Sequence, residues 1–364
     1  MAISPCLSFL RRKMVRLCSF PCVRAVLLLA FLLIGLSIVD IYKKVHFSSP
    51  NLTLNVFPPA IEPDIGSKEF FLLAIVTSRP GSKATRETIR QTWGSLQGTG
   101  ASGTWKMIFN LGRTFNLELD LQLEREARIY RDLLIGNYKD TYDNLIIKVF
   151  TAFTWATRFK CKYILKADDD VYVHVPRLIK WLQTSPGLPS QIYAGALAID
   201  TGIERVPWKS YFLSYRTYNG TRFHTYCRGP YYVMSHNILN KLWHRTKMFE
   251  PFRIEDAYVG LLIVTMGVTP VQLPGCSWHD SNSFYKLQQK DVCFFKTGIC
   301  VGDRLSENAI QYAHEKFSSA EENVTLTEKC LDNLLIRNSP RISGVFGTGQ
   351  RFSEGQSLSI LKQK

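Results

Sequence analysis

The run Lys166-Ala167-Asp168-Asp169-Asp170-Val171-Tyr172-Val173 constrains this chain more than any other stretch. It sets three consecutive carboxylates at the end of the apolar run Tyr163-Ile164-Leu165. Adjacent carboxylates repel one another and are costly to desolvate when unpaired. Two readings are open at this point. A solvated acidic turn after a strand is the commoner fate of an isolated triple Asp. If Leu165 instead ends a buried strand, alternation sends Asp168 and Asp170 to one face and Asp169 to the other. Two oxygens at i and i+2 then suit a hard divalent cation, which in turn holds a diphosphate. The apolar residues on both sides favour a strand end inside a crevice.

The surrounding pattern is that of an α/β layered domain. Phe70 to Thr77 is a continuous apolar run of the kind that forms a strand buried on both faces. A Pro-Gly turn and a basic helix, Ala84 to Trp93, follow it. A second strand is expected over Trp105 to Leu111, and an amphipathic helix over Leu117 to Ile135. Next comes a helix over Asn144 to Phe159 with Asp143 as N-cap, then the strand Lys162 to Leu165 that delivers the aspartates. This order implies a mainly parallel central sheet, with ligands gathering at the C-terminal strand ends.

The N-terminus constrains the compartment. The first 24 residues carry Arg11, Arg12, Lys13, Arg16 and Arg24 and no acid, and Ala25 to Val39 is uninterrupted apolar sequence. As a helix this core spans roughly 22 Å, short of a hydrocarbon thickness of ~30 Å, which thin membranes of the early secretory pathway tolerate. A cleaved signal peptide is the rival, but no small-x-small site follows Val39. The expected organisation is a cytosolic tail (1–24), a signal anchor (25–42), a Ser/Pro/Asn-rich stem (43–68), a lumenal domain (69–330) and a polar tail (331–364). Three sequons, at Asn51, Asn219 and Asn323, lie beyond the span, as do six of the nine cysteines. Lumenal disulfides are therefore expected. A formal charge of +15 raises the question of nucleic acid. A lumenal address and the lack of a dense basic block argue against it, and an anionic small-molecule donor explains the balance better.

Further segments carry chemistry. Arg86 and Arg90 stand at i and i+4 on the basic helix, a spacing that suits phosphate or, equally, a solvated face paired with acids. Asp140-Thr141-Tyr142-Asp143-Asn144-Leu145 reads as a turn and cap, with a donor-sugar contact as the alternative. Tyr226-Cys227-Arg228-Gly229-Pro230-Tyr231 sets a glycine among aromatics, which suits a flat sugar face or an ordinary tight turn. Glu255-Asp256 precedes an apolar helix, either as cap or as general base.

Six of these segments occur in one order: RETIRQTWG (86–94), IFNLG (108–112), DTYDNL (140–145), KADDDVYV (166–173), YCRGPYYVMS (226–235) and EDAYVG (255–260). Together they resemble the β-1,3-galactosyltransferase family of Golgi glycosyltransferases. The resemblance implies a GT-A type fold and inverting transfer of galactose from UDP-galactose to the 3-hydroxyl of a terminal GlcNAc or GalNAc, with Mn²⁺ as cofactor. It places Asp168 and Asp170 on the metal pair, with Asp170 the direct ligand. Thr77, Arg86, Arg90, Asp140, Lys166, Asp168 and Asp169 fall on the donor side. Trp208, Lys209, Gly229 and Tyr231 fall on the acceptor side. Asp256 falls on the catalytic base, with Glu255 beside it. The implied address is the Golgi membrane, single-pass type II, and homo- or hetero-oligomerisation is compatible with it.

The sequence departs from the family in three places. Phe223-His224-Thr225 and Arg228-Gly229-Pro230-Tyr231-Tyr232 replace the usual surroundings of the Cys227 segment. The family's late histidine has no counterpart in Ile299-Cys300-Val301-Gly302-Asp303, so Asp303 or His279 is the candidate to complete the metal shell. Residues 331 to 364 run past the family's usual end. A Cys161–Cys227 disulfide bracing two strands is a further expectation. The alternative activity is β-1,3-N-acetylglucosaminyl transfer, and the alternative class is a catalytically silent glycan-binding relative.

Overall fold

The apolar run at Phe70 becomes the centre of the sheet in the computed structural model, which describes residues 21–46, 54–66, 69–96, 105–277, 283–322 and 330. Residues 1–321 make one unit and 322–364 a second, of which Glu322 and Cys330 are described. In chain order the elements begin with α1 (Pro21–His46), β1 (Glu69–Thr77), α2 (Lys83–Gln91), β2 (Trp105–Arg113), α3 (Leu117–Tyr130) and β3 (Leu133–Lys139). Then come α4 (Leu145–Ala156), β4 (Lys160–Asp168), β5 (Val171–Val173), α5 (Val175–Thr184), β6 (Tyr193–Ala198) and β7 (Tyr226–Ser235). The last are α6 (Asn237–Thr246), α7 (Glu255–Val264), β8 (Val271–Gln272), β9 (Cys276–Ser277), α8 (Ser283–Gln288), α9 (Val292–Thr297), β10 (Cys300–Gly302) and α10 (Glu307–Glu322).

Seven strands form one sheet in the order β3-β2-β1-β4-β7-β6-β8. The first four are parallel, β7 runs antiparallel to both β4 and β6, and β8 is parallel to β6. The mainly parallel α/β sheet of a GT-A type fold is thus present. Alternate residues of β1 and β4 feed two cores. Leu72, Ala74, Val76 and Leu165 pack with Ile89 of α2 and Leu178 of α5, while Leu73, Ile75 and Ile164 pack with α4, α6 and α7. Cover on both faces explains why β1 reads as unbroken hydrophobic sequence. On the second face α7 lies close to β7. A side chain at Gly260 would bring its Cβ to 2.3 Å from Tyr226 Cβ, so glycine there permits the approach that aims Glu255 and Asp256 at the end of the sheet.

Four expectations are corrected. The amphipathic segment 117–135 is not one helix. Arg131 takes a left-handed conformation (φ 54°) as the C-cap of α3, and Leu133-Leu134-Ile135 continues as strand β3 beside β2. Asp143 is not the N-cap of α4; that position is Asn144, after a 3-10 turn at Tyr142–Asn144. The C-terminal part of the stem belongs to the domain, because Ile61 bridges to Ile135 at the sheet edge and Ile65 is buried. Cys161 and Cys227 are buried free thiols. They begin β4 and β7, which run antiparallel with Tyr163 opposite Ser235 and Ala167 opposite Tyr231, so the two cysteines lie toward opposite ends of the pair. One bridge that does form is Cys276–Cys300, joining β9 to β10 in the second sheet, β5-β10-β9.

Helix α1 covers the expected anchor. Its described side chains, 25, 26 and 28 to 39, are all exposed, and over those described residues alone the helix is not long and apolar enough to cross a membrane.

Candidate active site

Strand β4 carries Lys166 and Asp168 out of the core to the C-terminal edge, where Asp168 lies level with Thr77 of β1. Lys166 is fully buried. Its ammonium donates to Asp168 Oδ1 at 2.6 Å and to the Gly229 carbonyl at 2.6 Å, and stands 3.8 Å from Glu255 Oε2. Burial works against that charge, but Asp168, Glu255 and Asp256 outweigh it and hold the lysine pKa above its ordinary value.

The three aspartates part company after the strand end. Asp169 turns inward, where its Oδ2 accepts from the Ser78 hydroxyl at 2.8 Å and its N–H bonds the Thr77 carbonyl. Asp168 keeps 31 % side-chain exposure beside Lys166. Asp170 is held by the β10 turn, whose Leu305 N–H donates to the Asp170 carbonyl at 2.9 Å. Burial, then repulsion from Asp168, Asp169 and Asp303, pushes the Asp170 carboxyl up to about 7. Its Oδ1 is buried without a hydrogen-bond partner, as is the Thr77 hydroxyl on the neighbouring strand.

These observations test the fit to a divalent cation. Asp168, Asp170 and Asp303 lie in one another's field, and Asp170 offers an orphaned buried oxygen. A hard cation answers both conditions. Among the described residues no three His, Cys, Asp or Glu side chains converge as a complete ligand set. Lys166 explains part of this by occupying Asp168 Oδ1. The residues therefore fit a cation that completes its shell with other oxygens. His279 lies outside the described residues.

Glu255 and Asp256 open α7 above β7 and have different surroundings. Glu255 is buried; its Oε1 accepts from the Tyr232 hydroxyl at 2.6 Å, and burial, with Asp256 nearby, raises its carboxyl to about 7 against the pull of Lys166. Asp256 stays partly exposed. Its Oδ2 accepts from the Gly229 N–H at 2.8 Å and its Oδ1 from the Ala257 N–H at 2.9 Å. Burial raises the Asp256 pKa, and these two N–H groups hold it back. The result is a fixed, accessible carboxylate with raised basicity, which is what a general base requires. The N-cap position is Ile254 rather than Asp256, which serves the helix start only through the Ala257 N–H.

The arginine pair is corrected. Arg86 is 0 % exposed and donates to both oxygens of Glu126, to the carbonyls of Arg79 and Pro80, and to Ser78. Arg90 binds Glu126 and Asp132 and stacks over Tyr130. Neither presents an open fork to a phosphate. They shape the loop after β1, and Ser78 passes that order to Asp169. Asp140 likewise faces inward, accepting from the Gly112 N–H at 2.7 Å and pairing with Lys148 at 2.7 Å. Lys148 is the residue that sequence reasoning missed. It bonds the Ser78 carbonyl at 2.9 Å, and burial, opposed by Asp140, lowers its pKa. A lone charge inside the apolar helix α4 was its signal, since a buried unpaired lysine costs several kcal/mol.

On the acceptor side Gly229 lies against Asp256, where a Cβ would stand 3.3 Å from Oδ2. Trp208 is 74 % exposed, and Lys209 pairs with Glu204 at 2.9 Å. Tyr231 is corrected: it is buried on β7 with its hydroxyl unpartnered, so it offers no face for a sugar to stack on. Asn219 is exposed, whereas Asn51 and Asn323 lie outside the described residues.

Comparison with known proteins bears on the family of the chain. The family model described as galactosyltransferase matches residues 84–274, which include the triple Asp and Glu255-Asp256. Human UDP-GalNAc:beta-1,3-N-acetylgalactosaminyltransferase 1 is 30% identical over 253 residues, covering 66% of this chain and 73% of that one. Human N-acetyllactosaminide beta-1,3-N-acetylglucosaminyltransferase 4 is 29% identical over 253 residues, 69% of this chain and 66% of its own. A solved bifunctional glycosyltransferase, WbbM, aligns over 76% of this chain and 53% of its own at 8% identity, with a TM-score of 0.38 that carries no argument. The chain belongs to the galactosyltransferase family and is a hexosyltransferase that works from a nucleotide-sugar donor.

Proposed function

We propose that this protein is an inverting β-1,3-glycosyltransferase that moves galactose from UDP-galactose to the 3-hydroxyl of a terminal GlcNAc or GalNAc on a glycan. The observation that carries the reading is the link from Asp168 through Lys166 and Gly229 to Asp256. It ties the donor end of β4 to a single accessible base. In one in-line displacement Asp256 takes the proton of the acceptor hydroxyl as that oxygen attacks the anomeric carbon. The bond from the anomeric carbon to the diphosphate breaks, and UDP leaves with the electron pair. One base suffices because no covalent glycosyl-enzyme forms. Glu255, buried behind Lys166, positions that lysine.

The cofactor we assign is Mn²⁺, with Asp170 and Asp168 as carboxylate ligands and other oxygens completing its shell. Bound there, it would neutralise charge on the departing diphosphate. Thr77 and Asp168 lie on the donor side, and Asp140, Lys148 and Asp169 brace the loop after β1 from behind. The Glu255-Asp256 form resembles the galactosyl branch. A second reading, an N-acetylhexosamine donor, is favoured by the names of the two human relatives. We also assign the protein to the Golgi membrane, type II, with α1 as its anchor.

The test is transfer by the full-length protein in Mn²⁺ from UDP-galactose, UDP-GlcNAc and UDP-GalNAc to acceptors ending in GlcNAc or GalNAc. Galactose transfer in β-1,3 linkage is expected. A preference for either N-acetylated donor replaces the galactose assignment, and no transfer from any donor overturns the enzymatic one.

A further inference from the structure

Arg253, three residues before Asp256, ties together two surface turns distant in sequence. Its guanidinium donates to the Ser210 carbonyl and pairs with Asp143 Oδ1 at 3.5 Å. Each partner has a tyrosine for a neighbour, Tyr211 and Tyr142, and both rings are half exposed at 53 % and 52 %. The Tyr142 side chain lies in the field of both Tyr211 and Asp256. Tyr226, buried on β7, lies in the field of Asp256 and Tyr211. None of the packing of the core requires two tyrosines to stand open here. Half-exposed aromatics are ordinary on a protein surface when scattered, but two on separate turns that one arginine ties together next to a candidate base form a wall able to take a sugar face.

We propose that Tyr142 and Tyr211, held in register by Arg253, form the acceptor-sugar subsite. A hexopyranose has one face of C–H groups and a rim of hydroxyls. An aromatic wall takes the C–H face, the phenol oxygens take rim hydroxyls, and the 3-hydroxyl is left toward Asp256. The proposal rests on Asp256 as the base. Tyr142 and Tyr211 are specificity-determining residues, and Arg253 is a positioning residue that touches no sugar.

The experiment uses the full chain with p-nitrophenyl β-N-acetylglucosaminide and p-nitrophenyl α-N-acetylgalactosaminide as acceptor probes. Steady-state transfer is read alongside acceptor-independent hydrolysis of the donor, and probe binding is followed by saturation-transfer NMR, which needs no turnover. Tyr211→Ala and Tyr142→Ala are expected to raise acceptor KM up to about tenfold, with donor KM and hydrolysis unchanged. Tyr→Phe variants should recover most of the loss, and Arg253→Ala should mimic the alanine variants while Arg253→Lys falls between. Acceptor KM and probe binding unchanged in variants that melt like the parent would overturn the subsite. A matching loss of donor KM or hydrolysis would also overturn it, placing the tyrosines on the donor side. If the parent fails to transfer but still binds the probes through these tyrosines, the base assignment fails and the subsite stands.

Discussion

Lys166 and Asp256 take opposite sides of one residue: the lysine donates to the Gly229 carbonyl at 2.6 Å, and the Gly229 N–H donates to Asp256 Oδ2 at 2.8 Å. The same lysine holds Asp168, two residues on at the end of its own strand β4. The donor-side carboxylate and the candidate base are thereby fixed relative to one another through a buried cation, without sharing an element.

Replacing that cation should disrupt both. Lys166→Met leaves Asp168 and Glu255 without their common partner, and breaking a buried pair on one side costs about 3–5 kcal/mol. Urea unfolding should show the loss, and activity should fall in parallel even where the variant remains folded.

Gly229→Ala tests the same contact more gently. The added Cβ would stand 3.3 Å from Asp256 Oδ2, so the carboxylate must give by a few tenths of an ångström. Transfer is expected to slow by about tenfold, roughly what a 1.4 kcal/mol rise in barrier produces, while UDP affinity measured by calorimetry stays the same.

Stability should depend on pH through Glu255. Burial and the nearness of Asp256 push its folded carboxyl up to about 7, above the ordinary 4.5 of a glutamate. The folded protein therefore holds a proton that the unfolded chain has released, and this contribution to stability is lost as pH rises from about 4.5 through 7. Glu255→Gln removes the titration. The melting-temperature difference between Glu255→Gln and the parent should become more positive from pH 5 to pH 7.5, and a flat difference would contradict the assigned burial.

Much of this arrangement was legible in the sequence. The runs at Phe70 and Tyr163 announced doubly covered strands, and the position of Asp168 at a strand end followed from them. Local pattern did not announce where Arg86 and Arg90 would point. A basic pair at i and i+4 serves a phosphate or buried acids equally, and the acids chosen, Glu126 and Asp132, lie far along the chain. Strand β3 was hidden because Leu133-Leu134-Ile135 extends the helical spacing of α3, and only the left-handed turn at Arg131 separates them. Strand direction likewise decided the cysteines, since the β4–β7 antiparallel register sets Cys161 and Cys227 apart.

The thiols supply their own check. Burial raises the Cys161 thiol to about 12, and both free cysteines should resist alkylation until the protein unfolds. Cys276→Ser with Cys300→Ser should cost about 2–4 kcal/mol, since the bridge closes a loop across the second sheet.

The most direct test of the central claim is Asp256→Asn, assayed for sugar transfer and, separately, for UDP binding in Mn²⁺ by calorimetry. Asparagine keeps the size of the side chain and can still accept from the Gly229 N–H, but it cannot take up a proton at this site. Transfer should fall by about 10²–10⁴-fold with the UDP dissociation constant nearly unchanged. Loss of UDP binding, or transfer at close to the parental rate, would contradict the assignment of Asp256 as the base.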